Sequence, residues 1–126
     1  MNVYCAGILF NAAILHHQDA IKTGNSVSLD EAHRLYKASL HLLIILPASF
    51  EYNDTVALLE VANTNNLAQI ELEKGLVMEA SERLQMLTQL FQTSQSTMGN
   101  IFTNEEIEGI LTNTLVGHGI ISSPAA

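Results

Sequence analysis

The sequence predicts an all-α fold of about five helices, set out as two antiparallel hairpins followed by a C-terminal capping helix. Three observations carry that expectation. Ala, Leu and Ile dominate a chain with only 7 Gly and 2 Pro, so long stretches run without a helix breaker. Apolar residues recur at spacings of three and four between capping and turn signals. No alternating apolar–polar run bounded by turn residues competes as a strand. At 126 residues, a single domain over 1–117 is expected, with 118–126 as a flexible tail.

The first helix is expected from about Asn2 to Lys22. Val3, Ala6, Phe10, Ala13, Ile14 and His17 follow one face, while Ile8, Ala12 and Leu15 lie on another. A helix apolar on most sides is a buried one. "KTGNSVS" ends it with Gly24 and Asn25. Ser28-Leu29-Asp30-Glu31 reads as a capping box with Ser28 at the N-cap, opening a second helix. Its face is Ala32, Leu35, Tyr36, Ser39, Leu42 and Leu43, and Pro47 lies just past its end. Together these form a first hairpin over about 2–46.

Asn53 or Asp54 caps the third helix, which runs to Gly75, a natural terminating glycine. The fourth follows at once, with Met78, Leu84, Leu87 and Phe91 near one stripe, completing a second hairpin over about 53–94. "TSQSTMGN" is a polar loop. Thr103-Asn104-Glu105-Glu106 resembles another capping box and opens a capping helix over about 103–117, with Ile107, Ile110, Leu111 and Leu115 on its apolar face.

Charge narrows the function classes. The net charge is −8, and the five basic residues (Lys22, Arg34, Lys37, Lys74, Arg83) are scattered. No basic stripe exists to neutralise phosphates, so no nucleic-acid partner is expected. An anionic membrane would repel the chain. The run "LLIILPASF" is far short of the ~20 residues a membrane span needs. "MNVYCAGILFNAAIL" is apolar but lacks a basic start, and Asn11 interrupts it, so an intracellular, cytoplasmic protein is expected rather than a secreted one. Cys5 stands alone, which excludes an internal disulfide and a Cys-rich metal site, and reads as a packed thiol.

Two stretches repeat. Asn11-Ala12-Ala13 matches Asn66-Leu67-Ala68, Glu31-Ala32 matches Glu79-Ala80, and Tyr36 matches Leu84. In both copies small residues sit where two helices of a hairpin must approach closely. These positions resemble the tetratricopeptide repeat. The second copy has Leu67 and Ala68 at the Leu–small pair, Gly75 at the turn, and Ala80 and Leu84 at the second-helix packing positions. The first has Leu9, Ala12, Ala13, Ala32, Tyr36 and Ser39 at the corresponding places.

Departures are clear. The first hairpin has about seven extra residues in its turn, Glu71 replaces the usual first-helix aromatic, and His16 holds that position in copy one. The resemblance covers about residues 3–92. The layout also resembles short repeat proteins numerous in diatoms, a likeness that implies no activity.

The resemblance implies a concave face made by the first helices, lined by Phe10, Ile14 and His17 from copy one and by Asn65, Gln69, Leu72 and Glu73 from copy two. A protein or peptide, neutral or basic, is the expected partner. The positions that would clamp a C-terminal carboxylate carry Phe10, Ile14, Asn65 and Gln69, with no Lys or Arg, so that mode is not expected. An N-terminal helix this apolar needs cover, and a homodimer through it is one solution.

Chemistry finds little purchase. His16 and His17 diverge by ~100° around a helix and cannot chelate one ion together. The register has His16 packing against the hairpin partner and His17 facing the groove. Glu79 and Arg83 read as a solvated i,i+4 pair. No phosphate loop or nucleophile elbow is present. No catalytic residue, metal or cofactor is therefore expected. The leading reading is a non-catalytic interaction scaffold. The alternative is a self-contained or homodimeric bundle binding a small apolar ligand, or an accessory subunit of an enzyme.

Overall fold

Small residues decide where the helices touch. Ala6, Ala13 and Ala20 recur every seven residues on α1 (Asn2–Thr23) and are buried, so α2 (Ser26–Ile44) lies close against that side. The closeness is explicit at Ser39, whose hydroxyl donates to the Ala6 carbonyl at 2.7 Å. From α2, Ala32, Leu35, Tyr36, Leu40 and Leu43 fill the interface. α3 (Asp54–Glu73) follows, then α4 (Val77–Thr93). The computed structural model describes residues 2–47 and 53–93. Among them all regular structure is helical, in four helices, and there is no strand. The expected capping helix over 103–117 and the tail lie outside the described residues.

The helices pack in chain order. α1 lies along α2, α2 along α3, and α3 along α4, while α1 meets α3 only lightly. α3 is therefore flanked on two sides, and its sequence matches: Val56, Ala57, Val61, Leu67, Ala68 and Ile70 are all buried. One cluster joins Ala13, Ala32, Leu35, Tyr36, Leu40, Leu67 and Ile70 across α1, α2 and α3. A smaller one joins Ala6, Leu43 and Val56. Each fully buried Leu or Ile contributes ~1.5–3 kcal/mol. Leu84 and Leu87 of α4 are also buried, as expected. Met78 is exposed, contrary to expectation, because it stands in the first turn on the side away from α3.

The first hairpin turn is tighter than the sequence suggested. α2 begins at Ser26, not after Ser28, so "KTGNSVS" reduces to Gly24 and Asn25 between two helices. Asn25 is the N-cap, its side-chain oxygen accepting from the amides of Val27 and Ser28. Ser28 instead donates to the Asp19 carboxylate, and Glu31 pairs with Arg34. Asn53 caps α3 through the Val56 amide, as the sequence indicated. At its other end Gly75 takes φ 74°, with the Leu76 amide on the Glu71 carbonyl and the Gly75 amide on Leu72. That pairing is a Schellman motif, and it closes the second hairpin.

Candidate functional site

α1 turns a continuous stripe outward, opposite its alanines. Tyr4, Ile8, Asn11, Leu15, Gln18 and Lys22 are all exposed and alternate spacings of four and three. Such a spacing keeps one seam along a helix. Tyr4 is 81% exposed, Ile8 63% and Leu15 68%, so this is a large apolar commitment to the surface. Beside it runs an open cleft of about 620 Å³ between α1 and the start of α3, lined by Tyr4, Gly7, Ile8, Phe10, Leu58 and Leu59 among others. A Cβ on Gly7 would meet nothing within 4 Å, so no internal contact requires glycine in mid-helix. A second cleft of about 390 Å³, lined by residues including Ala20, Ile21 and Glu73, lies at the far ends of the same helices.

The residues expected to line the groove divide. On α3, Gln69 and Glu73 are exposed and Asn65 and Leu72 half-buried, all on the outward side that also carries Leu58. On α1, Phe10 is half-buried and reaches the cleft, while its ring leans on Tyr36 at 5.7 Å. Ile14 is half-buried against the central cluster. His17 is not at the surface. It lies inside the hairpin, its ring edge-on to Tyr36 and its Nδ1 3.1 Å from the Tyr36 hydroxyl. His16, expected to pack, is only half-buried and stands close enough to Glu31 to act on its charge. His17 is thus buried where it was expected to face the groove, and His16 stays half-buried beside α2. The physical reason is the alanine stripe, which sets the inward side of α1 and lies nearer to position 17 than to position 16. Cys5, expected to pack, is exposed for the same reason.

Burial shapes the chemistry of this centre. It pushes the His17 pKa below the usual imidazole value, against the smaller opposing pull of the Glu73 charge. Burial also raises the Tyr36 phenol to about 12, although a hydrogen bond with the Asn66 side chain favours the ionised form. Asn66 therefore faces α2.

A polar cluster that the sequence did not disclose ties α2, α3 and α4. Glu71 is 1% exposed. Its Oε2 accepts from His33 Nε2 at 3.1 Å and its Oε1 from Arg83 Nε at 3.3 Å. Because His33 donates through Nε2, its Nδ1 is the acceptor for the Lys74 ammonium at 3.3 Å. Lys74 also reaches Asp30 at 2.7 Å. Arg83 thus serves Glu71 on the neighbouring helix, where an exposed pair with Glu79 was expected. A buried carboxylate needs such partners, and His33 and Arg83 supply them from the two neighbouring helices. Nearby, Asn63 donates to Ser39 and to the Leu59 carbonyl, both at 2.9 Å, while its own carbonyl oxygen is buried without a hydrogen-bond partner.

Among the described residues, no group of three or more His, Cys, Asp or Glu is placed to hold a metal ion, and no helix is long and apolar enough to cross a membrane. Comparison with family models, curated proteins and solved structures finds no match to this chain.

Proposed function

We propose that this chain is a tetratricopeptide-like interaction module that presents the outward side of α1 and α3 to a protein or peptide and performs no catalysis. The open cleft between the first helices of the two hairpins carries this reading. Its walls hold exposed apolar side chains, Tyr4, Ile8 and Leu58, without an enclosing fourth side. Serial packing of α1, α2, α3 and α4 supports an extended arrangement, since a closed bundle would bring α1 and α4 into broad contact. Asn65, Gln69 and Glu73 continue the surface with amides and an acid and no basic residue, which suits a neutral or basic segment.

The test is affinity enrichment on the immobilised chain, compared with a variant carrying Asn65→Arg and Gln69→Arg. Both positions are off the core, so the variant keeps its helical circular dichroism. Retained partners should fall at least several-fold. Stoichiometric copurification of a small molecule, with no protein, would overturn the proposal.

A further inference from the structure

We propose that the outward stripe of α1 docks a second copy of this chain, helix against helix in antiparallel sense, about a two-fold axis crossing between Ile8 and Asn11. This rests on reading the α1–α3 face as an interaction surface and names its occupant.

Charge selects the occupant. All thirteen Asp and Glu and all five Lys and Arg lie at residue 19 or beyond, so residues 1–18 carry no charged side chain apart from histidine. A chain of net charge −8 repels its own copy wherever carboxylates meet. Among the described residues, the α1 stripe is a long helical surface from which they are missing, so two copies can approach there without opposing like charges. The α1 stretch itself needs no basic partner, whereas the α3 side with Glu73 is the part of the face that suits one.

The pattern of side chains selects the geometry. Tyr4, Ile8, Asn11, Leu15, Gln18 and Lys22 keep the seven-residue repeat that holds a seam between two helices. The three apolar members fall in the first two-thirds of α1. An antiparallel pair centred between Ile8 and Asn11 lays each Tyr4 over the partner's Leu15 and each Ile8 over the partner's Asn11, with the two Ile8 about 4.5 Å apart along the axis. Asn11 then sits beside the partner's Ile8, where a polar residue fixes register. A parallel pair would oppose Lys22 to the partner's Lys22 and align the helix dipoles unfavourably. The open space over Gly7 leaves room for the approaching helix beside the cleft.

The experiment measures mass by light scattering after size exclusion, over a concentration series, on the full chain. The mass should reach twice the 13.7 kDa of one chain. Ile8→Glu with Leu15→Glu should return it to one chain while helical circular dichroism is retained, since both side chains are exposed in the isolated chain. Direction is read by cross-linking in a Cys5→Ser background with a short bis-maleimide. Ile8→Cys should cross-link to itself. Gln18→Cys should not, because the two copies of that position stand about 25 Å apart at 1.5 Å per residue. A single-chain mass at every concentration overturns the proposal, as does a double-glutamate variant that still dimerises. Equal cross-linking at both positions overturns the antiparallel sense. A monomer that still captures a partner, and loses it with Leu58→Arg, would leave the interaction reading standing and remove only the second copy.

Discussion

His17 illustrates how a single position can be chemically suggestive and structurally occupied. The sequence shows two adjacent histidines near Asp19, and neighbouring positions on a helix point ~100° apart, so only one of them can enter the core. The repeat match assigned that place to His16. The alanines at 6, 13 and 20 carried the better signal, since small residues every seven positions mark a close helix contact and share a side with residue 17. The buried Glu71 was harder to find. Its partners His33 and Arg83 lie 38 and 12 residues away, and no local spacing announces a contact of that kind. His17 has a measurable consequence. Burial lowers its folded pKa below 6.5, the ordinary value. Above that value both folded and unfolded chains hold it neutral. As pH falls through 6.5 the unfolded chain takes up a proton that the folded chain resists, so stability declines until the folded pKa is reached. Urea unfolding of the wild-type chain between about pH 7 and pH 5 should show this decline, and His17→Gln should flatten it. Parallel pH curves for the two proteins would remove His17 as the cause.

At the scale of the element, the limits of the four described helices were legible to within two or three residues because breakers and caps are local. Asn53, Gly24 and Gly75 all act where the sequence indicated. The start of α2 was misplaced because two capping candidates lie three residues apart. Asn25 prevails by accepting two amides at once, which frees Ser28 to bond Asp19 on α1. The helix face of α1 was less legible than its ends, because apolar residues lie on nearly every side and periodicity alone cannot choose among them. Glycines make a clean test of these local rules. Gly75 has φ 74°, and a Cβ there would meet nothing within 4 Å, so Gly75→Ala tests the backbone alone. It should cost about 1–2 kcal/mol, the penalty for an L-residue in the left-handed region. Gly7 is equally unobstructed but lies within α1, so Gly7→Ala should add up to about 1 kcal/mol. Denaturant midpoints for the two variants, measured under conditions that hold the association state fixed, should move in opposite directions. A shift of the same sign in both would contradict the assigned conformations.

For the whole molecule, the issue is how two hairpins behave as one cooperative body when they meet mainly through α2 and α3. The apolar part of that junction is Tyr36, Leu35 and Leu40 against Leu67 and Ile70. Its polar part is a set of bonds that cross from one hairpin to the other: His33 to Glu71, Ser39 to Asn63, and Tyr36 with Asn66. In an array where each element contacts only its neighbours, cooperativity depends on such junctions being strong relative to the hairpins themselves. His33→Ala with Asn63→Ala removes three crossing contacts (His33 with Glu71, His33 with Lys74, Asn63 with Ser39) while leaving the Arg83–Glu71 bond that holds α3 to α4. The pair of changes should lower the coupling by about 1–3 kcal/mol, the range for hydrogen bonds to buried polar groups. α1 and α2 share the most extensive packing among the described helices, so that hairpin should outlast the other. Hydrogen exchange resolved by helix gives the readout. In the wild-type chain the slowest amides of all four helices should share one opening free energy. In the variant, amides of α3 and α4 should exchange from a lower-energy opening that leaves α1 and α2 protected. A uniform loss of protection across all four helices would mean that the apolar contacts alone carry the coupling.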